Sequence, residues 1–192
     1  NVPQGDLSRY VLSPDEPNES CLYNIFHLVD KAQTAAEKRE KLEQLVYLIT
    51  DIPSGTQDAQ LYFLNTARKI FLASMIAFYG IGVDFVDICK TVFFNSLEDL
   101  ARLIRVTKNE LAIGYIMPII EENEKNTSGA KSALNDKVKL FADNENMQNL
   151  LRRPLRKFDT GEVEHCFVPE LIEDSQVFIK VPDKKQEYYA AL

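Results

Sequence analysis

Between Ile70 and Tyr79 the chain has no polar face: apart from Ser74, every side chain in the run is apolar. A helix with no polar side must be enclosed all round by other elements or by lipid. The run is the second half of a longer stretch, Asp58 to Gly80, whose first half is amphipathic. There Leu61, Leu64, Ala67 and Phe71 fall on one stripe, and Asp58, Asn65 and Lys69 on another. Lipid is excluded by Arg68 and Lys69 in mid-segment and by an apolar run well short of the roughly 18 to 20 residues that span a bilayer. The spacing therefore predicts a core helix about 33 Å long, around which everything else packs. Gly80 and Gly82 follow where a left-handed C-cap is expected.

The rest of the chain supplies partners for such a hub. It has 192 residues, with 45% hydrophobic and 27% charged side chains, enough for one well-buried core and inconsistent with wholesale disorder. A formal charge of −7 opposes general attraction to phosphate and makes a protein partner the easier expectation. Cys21, Cys89 and Cys166 are odd in number and form no CxxC pair, and so read as reduced cytosolic thiols. The chain opens on Asn1 and reads as a soluble piece of something longer.

Taken in order, Arg9 to Leu12 reads as a short strand ended by Ser13-Pro14, and a polar turn runs through Pro17-Asn18. Such a strand needs a partner from elsewhere in the chain. A helix is expected from Asp30 to Thr50, buried near its end through Leu42, Leu45, Val46 and Ile49, with Glu37 to Lys41 as a solvated face. Pro53-Ser54-Gly55 breaks the chain before the central helix. Val83 to Phe94 forms the next helix, with Val86, Cys89, Val92 and Phe93 inward. Ser96 with Asp99, and Thr107 with Glu110, each have the spacing of a capping box, so two further helices are expected to start there. Pro118 should kink the second or lie in its last part. Glu121 to Gly129 reads as a loop or frayed end. A helix from Ala130 to Phe141 and a short one from Asn144 to Leu151, started by Asp143, follow. Beyond Pro154 the pattern changes: a turn at Phe158 to Gly161, a short extended piece from Val163 to Phe167, a helical turn at Pro169 to Ile172, then the strand Val177 to Val181, stopped by Pro182. The layout is strand, about seven helices, strand, as for a helical domain inserted into a sheet.

Few motifs carry chemistry. Pro53 to Thr56 lacks the lysine of a phosphate loop. His165 and Cys166 point to opposite faces if they lie on a strand, and His27 stands among apolar neighbours. Asp143 to Asn146 starts like a calcium loop, but Gln148 occupies the position that needs glycine. No nucleophile elbow is present. No catalytic residue and no metal ligand is therefore assigned. The densest charge is basic: Lys131, Lys137 and Lys139, then Arg152, Arg153, Arg156 and Lys157 around Pro154. These are the candidate contacts for nucleic acid or another partner, with arginines able to hold phosphates bidentately. The alternative is a solvated basic loop balancing Asp143, Glu145 and Asp159.

Several stretches in order carry a resemblance. Arg9 before a strand, Pro14 and Tyr23-Asn24; Asp58, Tyr62-Phe63, Ala67-Arg68 and Ile70-Phe71; Ser132, Leu134, Lys137-Val138, Phe141 and Asp143; and Val177 to Pro182 together resemble the TraG/TraD-type coupling proteins of type IV secretion and conjugation. Ile25 stands where that family has proline, and its central tryptophan is absent. The resemblance implies a mainly α fold, a bundle around a central buried helix. Short flanking strands would be left from a RecA-like nucleotide-binding motor: residues 1–14 and 160–192 would belong to the motor and 15–159 to the all-α domain. It implies no catalytic residue and no cofactor in this chain, since ATP and Mg would bind motifs outside it. The implied partners are a relaxase or another secreted protein, with DNA as a further candidate. The parent would be homo-oligomeric and associated with the secretion channel at the cytoplasmic face of the bacterial membrane. The other reading is a stand-alone helical DNA-binding, enzymatic or regulatory domain.

Overall fold

The computed structural model describes residues 8–16, 19–122, 124–155, 158–164, 166–167, 175–186 and 189. Pro17-Asn18, His165 and the expected helical turn at 169–172 lie outside them. The chain divides into two compact units: residues 28–143, and residues 1–27 together with 144–192.

The first unit is helical. It holds α2 (Ala35–Ile49), α3 (Asp58–Gly80), α4 (Phe85–Phe94), α5 (Leu97–Val106), α6 (Glu110–Ile120) and α7 (Glu124–Asp143), with α1 (His27–Lys31) leading in. As the apolar run requires, α3 is buried without a break from Ile70 to Phe78, and it packs against α2, α4, α5, α6 and α7. Ser74, the one hydroxyl in that run, donates to Ile70 O at 2.9 Å, so its burial leaves no polar group unsatisfied. At the end of α3, Gly82 takes φ +82°, Gly82 N donates to Tyr79 O, and Val83 N donates to Phe78 O. This is a Schellman close, which favours a residue free to adopt the left-handed region. Arg68 closes a second helix end. Its guanidinium donates to Thr50 O (2.8 Å) and Thr50 Oγ1 (3.1 Å) and lies 4.1 Å from the centroid of the Tyr47 ring, so a cation satisfies the Thr50 carbonyl at the negative end of α2.

Four expectations need correction. The helix predicted from Asp30 is two helices, because Thr34 and Glu37 form a capping box, with Glu37 N donating to Thr34 Oγ1 and Thr34 N to the Glu37 carboxylate. Thr107 starts no helix. It ends α5, Lys108 turns the chain at φ +57°, and Asn109 caps α6 by accepting from Ala112 N. Glu121 to Gly129 is largely helical: α7 begins at Glu124, and Thr127 and Ala130 continue the buried line of Leu134, Val138 and Phe141. Gly129 sits in that helix for packing, since a Cβ there would meet the Phe63 ring at 2.7 Å. Finally, Asn144 rather than Asp143 starts the short helix α8 (Glu145–Leu151), by accepting from Met147 N.

The second unit contains α8, the strands β1 (Ser8–Leu12), β2 (Leu22–Tyr23), β3 (Cys166–Phe167) and β4 (Ser175–Ile179), and a 3-10 turn at Asp183–Lys185. The partner that β1 needs is β4: they run parallel, Ser8 opposite Ser175 through Leu12 opposite Ile179. The pair β2–β3 is parallel as well. Phe167 joins the two pairs, its ring 5.4 Å from Tyr10 and 6.1 Å from Tyr23. Parallel neighbours cannot be joined by a tight turn and need a crossover. Here the connection between β1 and β4 includes the whole helical unit.

Candidate functional site

The cations singled out above fall on both units. On α7, Lys131 is half-buried and donates to Asn135 Oδ1. Lys137 donates to Asp51 O at 2.7 Å, tying α7 to the segment after α2, while Lys139 is exposed. In the other unit, Arg152 grips both oxygens of Glu164, at 2.5 and 2.8 Å. Such a bidentate pair is among the stronger charged hydrogen bonds. It is reinforced by Leu155 N donating to the same carboxylate and Glu164 N donating to Leu155 O. Arg152 thus fastens the base of the loop 155–164. Arg153 is exposed; Arg156 and Lys157 lie outside the described residues.

Between those two ends Phe158 is fully exposed, with Leu155 and Val163 also largely in solvent. An exposed aromatic ring following Arg156-Lys157 in sequence is the composition of surfaces that stack bases and neutralise phosphates. Reasoning from sequence noted the cations and missed both the ring beside them and Glu164, which anchors the loop. The signal for the ring was the order Leu155-Arg-Lys-Phe158, a basic pair bracketed by apolar residues.

Lys131 is a poor phosphate contact because it is half-buried and already donates to Asn135. Burial brings its ammonium down to about 8, because removing the charge from water disfavours the protonated form. The folded state therefore binds that proton less tightly than the unfolded chain, and stability should rise with pH from about 8 toward the unfolded value near 10.4. Lys131→Met is accordingly expected to stabilise the chain at pH 7 by on the order of 1 kcal/mol. Urea melts at pH 7 and pH 10 check this, since the advantage should shrink at the higher pH.

Among the described residues no group of three or more His, Cys, Asp or Glu side chains is placed to hold a metal ion. Burial pushes the Cys21, Cys89 and Cys166 thiols up, Cys89 furthest, which favours the thiol over the thiolate. A cleft bordered by Ser13, Ser20, Asn146 and Asn149 measures about 10 Å³, room for one water rather than a substrate. No described helix is long and apolar enough to cross a membrane.

The helical unit has an exposed apolar edge of its own. Around the α5–α6 turn Val106 is 74% exposed and Leu103 and Leu111 are each 40% exposed, with Arg102, Arg105 and Lys108 near them in sequence. Arg105 extends to Met117 Sδ and Arg102 pairs with Asp99. A scan against protein-family models and searches of curated proteins and of solved structures find no match to this chain.

Proposed function

We propose that the chain is the cargo-recognition, all-α part of a TraG/TraD-type coupling protein of type IV secretion. It would bind a relaxase with its DNA, or a protein substrate, at the cytoplasmic face of the bacterial membrane. The observation that carries this reading is the parallel pairing of β1 with β4 across the inserted helical unit. Parallel sheets occur almost only with both faces covered and within larger α/β layers, and a two-stranded piece is marginal alone. A helical insertion between neighbouring strands of a larger motor sheet accounts for both facts. On this reading ATP and Mg bind the motor outside the chain, and this part acts by binding. The exposed edge at Leu103, Val106 and Leu111 supplies a surface for cargo.

The test has two arms. Reading the coding region on both sides should reveal a phosphate-loop motif upstream and an acidic Mg-binding strand downstream; their absence removes the motor parent. Calorimetric titration of the chain with the relaxase encoded beside it should show saturable binding, lost in Val106→Asp. Binding by neither the chain nor its parent would overturn the recognition role.

A second reading, direct contact with DNA, is favoured by the exposed Phe158 beside the basic pair. Affinity for single-stranded DNA should then fall steeply with salt, and Phe158→Ala should weaken it by about 1–3 kcal/mol. Arg152 is omitted from that set because it serves Glu164. An absence of binding at low salt would exclude this version.

A further inference from the structure

Of the three methionines, two are sealed in: Met75 on α3 and Met147 on α8 are wholly buried. Met117, in the later part of α6, is only partly covered. Its sulfur has an unusual neighbour. Arg105, in the last turn of α5, aims Nη2 and Nε at Met117 Sδ, 2.9 and 3.2 Å away. Those two N–H groups form the edge of a guanidinium that matches a carboxylate or phosphate with two parallel bonds. A thioether is a weak acceptor, and among the described residues Arg105 pairs with no carboxylate. A strong donor fork thus rests on a poor acceptor. Both helices belong to the helical unit and pack on each other, so regular backbone holds the two side chains together.

We propose that Met117 is a site of reversible oxidation by peroxides, and that Arg105 holds the sulfoxide once it forms. A lone pair of Sδ attacks one oxygen of hydrogen peroxide. The S–O bond forms as the O–O bond breaks, and the second oxygen takes the proton of the first and leaves as water, so that the thioether becomes a sulfoxide. Sulfur loses two electrons, the peroxide gains them, and no other reactant is required. Sδ carries two lone pairs, so donation from Arg105 on one side leaves the other open to the oxidant. The product reverses the mismatch. Oxidation makes the side chain polar, and rotation within this unbranched side chain brings the new oxygen to the fork. There a charge-assisted hydrogen bond replaces the contact with sulfur. Methionine oxidation commonly disrupts the packing around it; here it tightens the joint between α5 and α6. Methionine sulfoxide reductases regenerate the thioether, so the mark is erasable.

The inference goes beyond the secretion reading and does not depend on it. The intact chain is treated with dilute hydrogen peroxide and read by peptide mass spectrometry. Met117 should gain one oxygen at least about tenfold faster than Met75 or Met147, which react only when the fold opens; in urea all three should react alike. Oxidised wild type should unfold at a higher urea midpoint than the untreated chain, and reductase treatment should restore the original value. The Arg105 Nε–H proton resonance should move downfield on oxidation and return with reduction. Arg105→Ala should still be oxidised at Met117 but show no rise in midpoint. Met117→Leu, treated alongside, should keep its midpoint, which separates the effect from oxidation of the cysteines. Equal oxidation of the three methionines in the folded chain would overturn the proposal. So would a wild-type midpoint that fails to rise, or one that rises as much in Arg105→Ala or Met117→Leu.

Discussion

Phe71→Ala should lower the stability of the helical unit by about 3–5 kcal/mol, the usual cost of deleting a fully buried aromatic ring. Phe71 is wholly enclosed on α3, as are Ile70, Ala73 and Met75 beside it. Because α3 touches five other helices of the unit, no single neighbour can move into the vacated space without leaving another contact, and the cavity term stays in full. A loss of this size approaches the whole stability of many domains. Urea titration followed by far-UV circular dichroism reads it, since the signal is dominated by the helices. Leu48→Ala is the control: Leu48 is 73% exposed on α2, and the substitution should change stability by no more than about 0.5 kcal/mol. Equal effects from the two variants would mean that α3 is not the hub.

The second large effect belongs to the other unit. Oδ1 of Asp15 accepts from Lys185 Nζ at 2.8 Å, from Tyr189 OH at 2.9 Å and from Asn146 Nδ2 at 3.3 Å. One carboxylate thus gathers donors from α8, the 3-10 turn and the tyrosine beyond it. Asp15→Ala is expected to cost about 2 kcal/mol, because hydrogen bonds to an ionised group are the stronger kind and their loss leaves donors unmatched. The hydrogen bond from Lys185 is the main reason that the Asp15 carboxyl titrates below its usual range, with Tyr189 and Asn146 adding to it against desolvation. A carboxylate with a depressed folded value contributes stability that is fully present above its unfolded value near 3.9 and is lost as pH falls through the folded one. Acid titration of stability should therefore show a loss below about pH 4 in the wild type that is reduced in Asp15→Asn. An identical acid limb in both proteins would assign that loss to other groups.

How far the chain was readable depends on the range of the interaction. The hub was legible because a stretch such as Ile70 to Phe78 admits one physical outcome, and α3 begins and ends where Asp58 and Gly82 place it. Local caps were legible where one reading was available, as at Ser96 with Asp99, and misread where two competed. Thr107 and Asn109 both fit a helix start, and only the turn at Lys108 decides between them. Glu121 to Gly129 was misjudged because Thr127 counts as polar in composition yet is buried, and because Gly129 is read as a breaker when its task is to admit the Phe63 ring. The strands β1 and β4 were visible as strands, but nothing local states which strand a strand will choose. Among the candidate cations, composition ranked Arg152 with Arg153, and only Glu164, distant in sequence, separates a fastening residue from an exposed one.

The pairing of β1 with β4 also sets an order of events. Lys180 and Glu16, which meet beside it, are 164 residues apart in the chain. Joining such remote segments early would sacrifice the freedom of everything between them, and contacts of long sequence separation form slowly. The helices, whose partners are mostly closer along the chain, are expected to assemble first, and each residue they immobilise leaves less slack for the ends to gather in. The strands then zip last, so a mutation that slows the bundle also prolongs the time during which β4 stands unpaired and prone to aggregate.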